Sequence, residues 1–257
     1  MHQQHQLQFC STCTAMLRAS QTVVLSYDSP MKAAQRHIDL EVNLARSEAA
    51  LRRTLPDARL QITALPNIAQ MQLALINSDF QTGPLSAEVM QAVIAKPAYW
   101  AFCWGSGLAL ARWLLQNPAV VAGKRIADVG CGCGIGAIAA KMAGASEVIA
   151  CDNDQDALIN AQANAALNHV SLAFCDDVAN LDSDFDLILM ADVLYDKSNY
   201  PLLSTAKSLA HSIIVADSRV RSIDDPDFVV FHTSEALTYP NLGEFDEFRD
   251  VRFFRAS

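Results

Sequence analysis

Basic residues are scarce in this chain. Its 257 residues include 19 Lys and Arg against 28 Asp and Glu, so the formal net charge is -9. Nucleic-acid-binding proteins usually present a basic patch, and this balance argues against nucleic acid as a partner. The negative field weakly favours a basic protein or a small cation instead.

Long apolar runs are also missing. No stretch approaches the roughly 20 apolar residues of a membrane helix, so we expect no membrane partner. The start, MHQQHQLQFCSTC, lacks the basic and apolar regions of a secretory signal. The seven cysteines are odd in number and unevenly spread, which favours reduced thiols in the cytoplasm.

Apolar residues make up 51% of the chain, enough for one large domain with a smaller appendage. Residues 1–30 show no pattern. Residues 31–54 carry an apolar stripe among Ala, Leu, Glu and Arg, which predicts an amphipathic helix. We therefore expect a partly helical N-terminal extension over 1–54 and the main domain over 55–257. The extension would either pack on that domain or bind a partner.

Apolar strands and helices alternate through the rest of the chain. A short strand is expected at 60–65, followed by polar irregular chain to about residue 97. The later strands are continuous apolar runs, as in a parallel sheet buried on both faces. Together with a closing antiparallel pair they predict a doubly wound, mostly parallel, seven-stranded α/β sheet. The expected strands are 125–130, 147–152, 170–175, 185–191, 212–217, 228–233 and 249–254, and the expected helices are 106–117, 136–144 and 154–167.

Residues 129–136, VGCGCGIG, place two cysteines among four glycines. Cys131 and Cys133 lack the two-residue gap and the second ligand pair of a zinc site, and Cys10 and Cys13 form only an isolated pair. We therefore predict that the chain binds no metal.

The same glycines lie between a strand and a helix, where a helix N-terminus favours an anionic group of a ligand. Residues 132–137, GCGIGA, fit a dinucleotide fingerprint with Asp152 about 20 residues later, so a dehydrogenase is a rival interpretation. The Asp128 carboxylate, however, would make no favourable interaction with a pyrophosphate. It would form charge-assisted hydrogen bonds with a positive amino group, or lie close to a sulfonium of opposite charge.

Further acids follow the next strands: Asp152, Asp176, Asp177 and Asp192. With the DVGCGCG stretch, this order resembles the class I S-adenosylmethionine-dependent methyltransferases from about Trp100 onward. The resemblance implies their Rossmann-like fold and S-adenosyl-L-methionine as cofactor. It assigns the methionine part to the glycine loop near Asp128, the ribose to Asp152, and the adenine amine to Asp177 or Asp176. The implied cofactor-binding set is Trp104, Gly107, Asp128, Gly130, Gly132, Gly134, Asp152, Asn153, Asp177 and Asp192.

Residues 97–118, PAYWAFCWGSGLALARWLLQNP, and residues 192–196, DVLYD, resemble the seven-strand protein lysine methyltransferases. The nearest branch includes the electron transfer flavoprotein beta-subunit lysine methyltransferase, although Ser106 and Leu108 depart from its usual glycine and glutamine. The implied acceptor is a protein lysine, with that beta subunit as the leading candidate.

This narrower resemblance also implies roles at the acceptor. Tyr99, Trp100 and Tyr195 would line a channel for the alkyl stem and ammonium of lysine. Asp192 and Tyr195 would be catalytic, with Asp192 holding the amine and helping it lose its proton, and Asp196 would recognise a basic flank. A small-molecule N-methyltransferase and a non-catalytic, cofactor-binding regulatory protein remain open as alternatives.

Overall fold

The computed structural model describes residues 30–243 and 248–257, with side chains from residue 37 onward. The patternless start and the Cys10–Cys13 pair lie outside the described residues. Helix α1 spans Pro30–Thr54, and its last turns bury Ser47, Ala50 and Leu51. The predicted helix at 31–54 is therefore confirmed.

A two-stranded antiparallel hairpin follows α1. It pairs β1 (Leu60–Leu65) with β2 (Ile68–Ile76), and Asn67 closes the turn with a φ of 64°. The prediction of irregular chain to residue 97 was wrong, because this stretch contains β2 and then α2 (Ala87–Ala95). In β2 the first half carries three exposed residues in no regular alternation and the second half is fully buried, so no single pattern extends over the whole strand.

The main sheet has seven strands in the order β5-β4-β3-β6-β7-β9-β8. The first five pair in parallel, while β9 runs antiparallel between β7 and β8. The predicted doubly wound, mostly parallel, seven-stranded sheet is confirmed. Its strands are β3 (Arg125–Val129), β4 (Glu147–Cys151), β5 (Ala173–Cys175), β6 (Leu187–Ala191), β7 (Ile213–Asp217), β8 (Val229–Glu235) and β9 (Asp250–Ala256).

Helices cover both faces of this sheet. Ile126 of β3 belongs to the apolar core shared with α3, α4 and α5, whereas the next residue, Ala127, belongs to the core shared with α6. Successive strand residues point to opposite faces, so both faces must be apolar. The helices are α3 (Gly105–Gln116), α4 (Ile135–Met142), α5 (Gln155–Leu167) and α6 (Pro201–Leu209), the last of which we did not predict. None of the helices within 30–243 and 248–257 is long and apolar enough to cross a membrane.

Candidate functional site

A cavity of about 720 Å³ opens at the carboxyl edge of the sheet. It lies at the ends of β3 and β6, where the strand order reverses, which is the usual ligand position in open α/β sheets. Its volume falls in the range of small-molecule sites. The predicted residues that line it are Tyr99, Trp100, Trp104, Gly130, Gly132, Asp152, Asn153, Asp177, Asp192 and Tyr195.

The glycine loop forms one side of the cavity. Gly130 has a φ of 72°, and a Cβ there would lie 2.7 Å from a methyl group of Val193, so a larger residue has no room. Gly132 has a φ of 52°, and no atom lies within 4 Å of a Cβ built on it. Its backbone therefore faces open cavity space in a conformation that favours glycine.

Asp152, directly after β4, is tied to the backbone on both carboxylate oxygens. One oxygen accepts the Gly132 N–H at 2.9 Å, and the other accepts the Asp154 N–H, also at 2.9 Å. Burial raises the pKa of this carboxyl, and the two backbone hydrogen bonds oppose that shift. Each oxygen keeps a further lone pair, so Asp152 can still accept hydrogen bonds from hydroxyl groups in the cavity.

Asp192, directly after β6, lies at the N-terminus of α3. Its carboxylate accepts the Ser106 backbone N–H at 2.9 Å and the Ser106 hydroxyl at 2.6 Å. The residue is held at a φ of 52°, which is uncommon for a residue with a side chain. Burial raises the pKa of Asp192 to about 6, although the Ser106 hydrogen bonds and Arg219 lower it.

Three aromatic side chains form the opposite side of the cavity. The Trp104 indole N–H donates to the Tyr99 carbonyl at 2.8 Å, and the two rings meet edge to face at 5.8 Å. The Tyr99 and Tyr195 rings also meet edge to face, at 5.5 Å. Trp104 begins α3 as its N-cap, so Asp192 and the aromatic rings are positioned by the same helix end.

Two buried asparagines of α5 form hydrogen bonds with backbone groups near the cavity. Asn164 donates to the Cys133 carbonyl at 2.9 Å and accepts the Ala74 N–H at 2.7 Å. Asn160 donates to the Trp100 carbonyl at 3.1 Å. Each side chain connects the helix to backbone far away in sequence. We did not single them out, and the available signal was a pair of amides four residues apart within an Ala-rich helix.

Arg219 is a third residue that the sequence analysis missed. It lines the cavity, its guanidinium lies 3.7 Å from the Asp192 carboxylate, and it faces the Trp104 ring at 5.8 Å. Asp217, at the end of β7, accepts the backbone N–H groups of Arg219 and Val220 and so fixes the loop. The available signal was another acid at a strand end, followed by an arginine.

Four predicted site residues lie outside the cavity wall. Asp128 is buried and accepts the Ala137 N–H of α4 at 2.7 Å. Gly134 packs against Ala161, Gly107 packs against Ile135, and Asp196 accepts the Ser198 N–H in an exposed turn. Of the two candidates for binding the adenine amine, Asp177 lines the cavity and Asp176 does not.

The sequence analysis predicts that the chain binds no metal, and that prediction depends partly on the two cysteines of the glycine loop. Cys131 and Cys133 are both buried, and burial raises the pKa of the Cys131 thiol well above its usual value. Thiolates are the metal-binding form of cysteine. Within residues 30–243 and 248–257 no three His, Cys, Asp or Glu side chains are grouped closely enough to hold a metal ion.

A sheet of this order, with a glycine loop after β3 and an acid at the end of β4, defines a class I methyltransferase fold. Residues 111–203 match the family of ribosomal protein L11 methyltransferases (PrmA). A ribosomal protein L11 methylase from Lactobacillus delbrueckii subsp. bulgaricus has a similar solved structure. Its TM-score is 0.44 at 25% identity, over 57% of this chain and 76% of that one.

Curated relatives give a more specific family. The chain is 47% identical to the electron transfer flavoprotein beta subunit lysine methyltransferase of Danio rerio over 103 residues, and 44% identical to that of Homo sapiens over 102 residues. These matches cover 39% and 38% of this chain but only 40% and 39% of the relatives. The homolog from Caenorhabditis elegans is 32% identical over 174 residues, which are 60% of this chain and 69% of that one. The chain belongs to the electron transfer flavoprotein beta subunit lysine methyltransferase family.

Proposed function

We propose that this protein uses S-adenosyl-L-methionine to methylate a lysine side chain on a protein, and that the beta subunit of electron transfer flavoprotein is the acceptor. The observation that carries the proposal is the composition of one cavity. It combines a glycine loop and Asp152 on one side with Tyr99 and Tyr195 at the other. Family membership supports the acceptor, because the relatives are named for it.

The residues of the cavity fit the proposed cofactor. The open space beside Gly132 leaves room for a ligand against the loop backbone, and Asp152 presents carboxylate oxygens to ribose hydroxyl groups. We assign Asn153 to the same end of the cavity and Asp177 to the adenine amine. Bound S-adenosylmethionine supplies a methyl group activated by a sulfonium centre.

The aromatic side of the cavity suits the acceptor. The edge-to-face pair of Tyr99 and Tyr195 offers an apolar wall for the alkyl stem of lysine and a π surface for its ammonium. Because methyl transfer is an in-line displacement, these residues chiefly have to align the nitrogen. Trp100 also lines the cavity, but it is buried in an apolar cluster with Leu51 and Ile76.

Asp192 is assigned to positioning the nitrogen. Its pKa of about 6 leaves the carboxylate ionised at neutral pH, so it attracts a lysine ammonium. The same pKa is roughly four units below that of free lysine, near 10.4, and this difference makes Asp192 a poor base. We therefore assign loss of the lysine proton to exchange with the buffer or hydroxide of bulk solvent before methyl transfer, and the positioning of the nitrogen to Asp192.

The test is calorimetric titration with S-adenosylhomocysteine, with NADH as control, followed by transfer of labelled methyl groups to the purified electron transfer flavoprotein beta subunit. We expect micromolar binding of S-adenosylhomocysteine, none of NADH, and label on lysine. Binding of NADH alone would support the dehydrogenase interpretation. Cofactor binding with label appearing on a small amine and none on the protein would support the small-molecule alternative. Binding with no methyl transfer to either acceptor would support the non-catalytic one.

A further inference from the structure

Helix α2 is apolar in sequence but is not buried. Its nine residues read AEVMQAVIA, and none of them is buried. Met90 is 45% exposed and Ile94 is 74% exposed. Contiguous exposed apolar surface on a soluble protein usually marks a binding site. We call the side chains of Val89, Met90, Val93 and Ile94 the α2 surface.

The helix is nevertheless well defined at both ends. The Ser86 hydroxyl accepts the Val89 N–H and caps the first turn. At the other end, the Lys96 ammonium pairs with Asp156 at 2.5 Å and with Asp154 at 3.3 Å, and the Lys96 carbonyl accepts the Thr54 hydroxyl. The α2 surface is therefore presented by a fixed helix.

These anchors place the end of α2 beside the cavity. Asp154, the partner of Lys96, lines the cavity next to Asp152. Pro97, one residue further along the chain, also lines it, and Tyr99 follows at the rim. Tyr99 and Tyr195 are 46% and 53% exposed, so exposed aromatic rings at the mouth follow the α2 surface in the chain, with Lys96 between them.

Charge around the mouth restricts what can cover this surface. Asp177 and Asp196 are exposed, while the two cations nearby, Lys96 and Arg219, already lie beside Asp154 and Asp192. The whole chain carries a formal net charge of -9. A second copy of this chain would bring the same acids face to face. A partner that carries a lysine among apolar side chains complements both the acids and the apolar helix.

We propose that the α2 surface is the docking site for the folded protein acceptor, which seats apolar residues on Met90 and Ile94 while its lysine enters the cavity along the wall formed by Tyr99 and Tyr195. This inference rests on the proposed function. A small acceptor would occupy the cavity alone and would not use α2. Docking of this kind contributes to acceptor affinity and leaves the chemical step unchanged.

The experiment compares the wild type with Met90→Gln/Ile94→Gln, in which both replacements are uncharged and compatible with a helix. Steady-state methylation of the purified electron transfer flavoprotein beta subunit gives KM and kcat. Affinity for S-adenosylhomocysteine and the melting temperature verify that the site and the fold are intact. Ala95→Gln, an exposed position on the same helix, is the matched control.

We expect the double variant to raise the KM for the protein acceptor at least tenfold, with kcat within twofold and the affinity for S-adenosylhomocysteine unchanged. Ala95→Gln should match the wild type. An unchanged KM, or a fall in kcat alone, would overturn the docking site and leave the proposed function standing. A wild-type dimer that the double variant converts to monomers would assign the surface to self-association instead. Failure of the wild type to methylate this acceptor overturns the proposed function, and the docking inference with it.

Discussion

The cavity has one wall that holds its polar groups through the backbone and another that presents aromatic rings to solvent. The loop wall consists of Gly130, Gly132 and Asp152, and the aromatic wall consists of Tyr99, Trp104 and Tyr195. In the loop wall, both Asp152 oxygens already accept backbone N–H groups. In the aromatic wall, Tyr99 and Tyr195 are about half exposed.

This difference indicates that the two walls suit different ligands. A wall fixed before the ligand arrives loses little conformational freedom on binding, so it suits an invariant cofactor. An exposed wall with rotatable rings suits a large acceptor that completes the site only when it docks. Changes in the loop wall should therefore affect cofactor affinity, and changes in the aromatic wall should affect the acceptor KM.

The largest effect is expected from Gly132→Val. A branched side chain at a φ of 52° strains the backbone and projects into open cavity space. We expect affinity for S-adenosylhomocysteine to fall by more than about 1,000-fold, since the ligand and the side chain would compete for the same volume. Calorimetric titration measures this loss.

Gly123→Val is the matched control for that variant. Gly123 has a φ of 73° and no atom within 4 Å of a built Cβ, and it is not among the residues that line the cavity. It should show a comparable loss of melting temperature without loss of binding. If both variants bound equally well, the placement of the cofactor against the loop would be wrong.

Asp192 connects the two walls, because it caps the helix that Trp104 begins. Asp192→Asn keeps a side chain that can bond both the Ser106 N–H and its hydroxyl, and asparagine tolerates a positive φ. We expect kcat to fall about 100-fold from loss of charge alone, with cofactor affinity within about tenfold. Asp192→Ala should be at least as severe, because it also removes the cap.

The pH profile separates charge from position at Asp192. Burial raises the pKa of its carboxyl to about 6, so the attracting carboxylate form is lost as the pH falls through 6. Wild-type kcat/KM, which follows the ionisation of the free enzyme, should accordingly rise between about pH 5 and 7, and this step should be missing from the residual activity of Asp192→Asn. An unaltered step in the asparagine variant would assign the titration to another group.

A smaller effect is expected in the aromatic wall. Tyr195→Ala removes an exposed ring that contacts Tyr99, and we expect the acceptor KM to rise about tenfold with unchanged affinity for S-adenosylhomocysteine. Tyr195→Phe keeps the ring and serves as the control. A large fall in kcat for the phenylalanine variant would mean that the hydroxyl takes part in the chemical step, as the sequence resemblance implies.

Much of the loop wall could be predicted from sequence because its parts lie close together in the chain. The glycines and Asp152 fall within consecutive elements, and the carboxyl ends of parallel strands meet at one edge of a sheet. The seven strands of the main sheet were predicted from short apolar runs in the sequence, which are also local features. Of these strands, β5 begins at Ala173 and not at residue 170. Local pattern was sufficient for β3, β6 and β7, in which burial is nearly continuous along the whole strand.

The other features of the site depend on hydrogen bonds between residues that are distant in sequence. The Ser106–Asp192 hydrogen bonds join residues 86 positions apart, and Asn164 reaches Ala74 across 90 positions. Neither contact leaves a local pattern. Helix α2 was missed for a different reason: it has only nine residues, and Glu88 and Gln91 are the only polar side chains that mark its second face.

The smallest effect on activity is expected behind the loop wall, at Asp128. Its carboxylate caps α4 through Ala137 and does not line the cavity, so Asp128→Asn should change affinity for S-adenosylhomocysteine only severalfold. Its influence is on stability. Burial raises the pKa of Asp128 to about 7 from an ordinary 3.8, which means that the folded state favours the neutral form.

The sign of the stability change follows from that shift. Between about pH 4 and 7 the unfolded chain releases this proton before the folded chain does, so the wild type loses stability relative to Asp128→Asn as the pH rises through 7. The full difference is at most roughly 4 kcal/mol. Denaturant unfolding of the ligand-free protein at pH 4 and pH 8 measures nearly all of it, and Asp57→Asn, at an exposed acid, is the control. If Asp128→Asn and the wild type lost the same free energy of unfolding between the two pH values, the Asp128 carboxylate would have another partner that stabilises its charge. A large loss of cofactor affinity in Asp128→Asn would instead place Asp128 in the binding site.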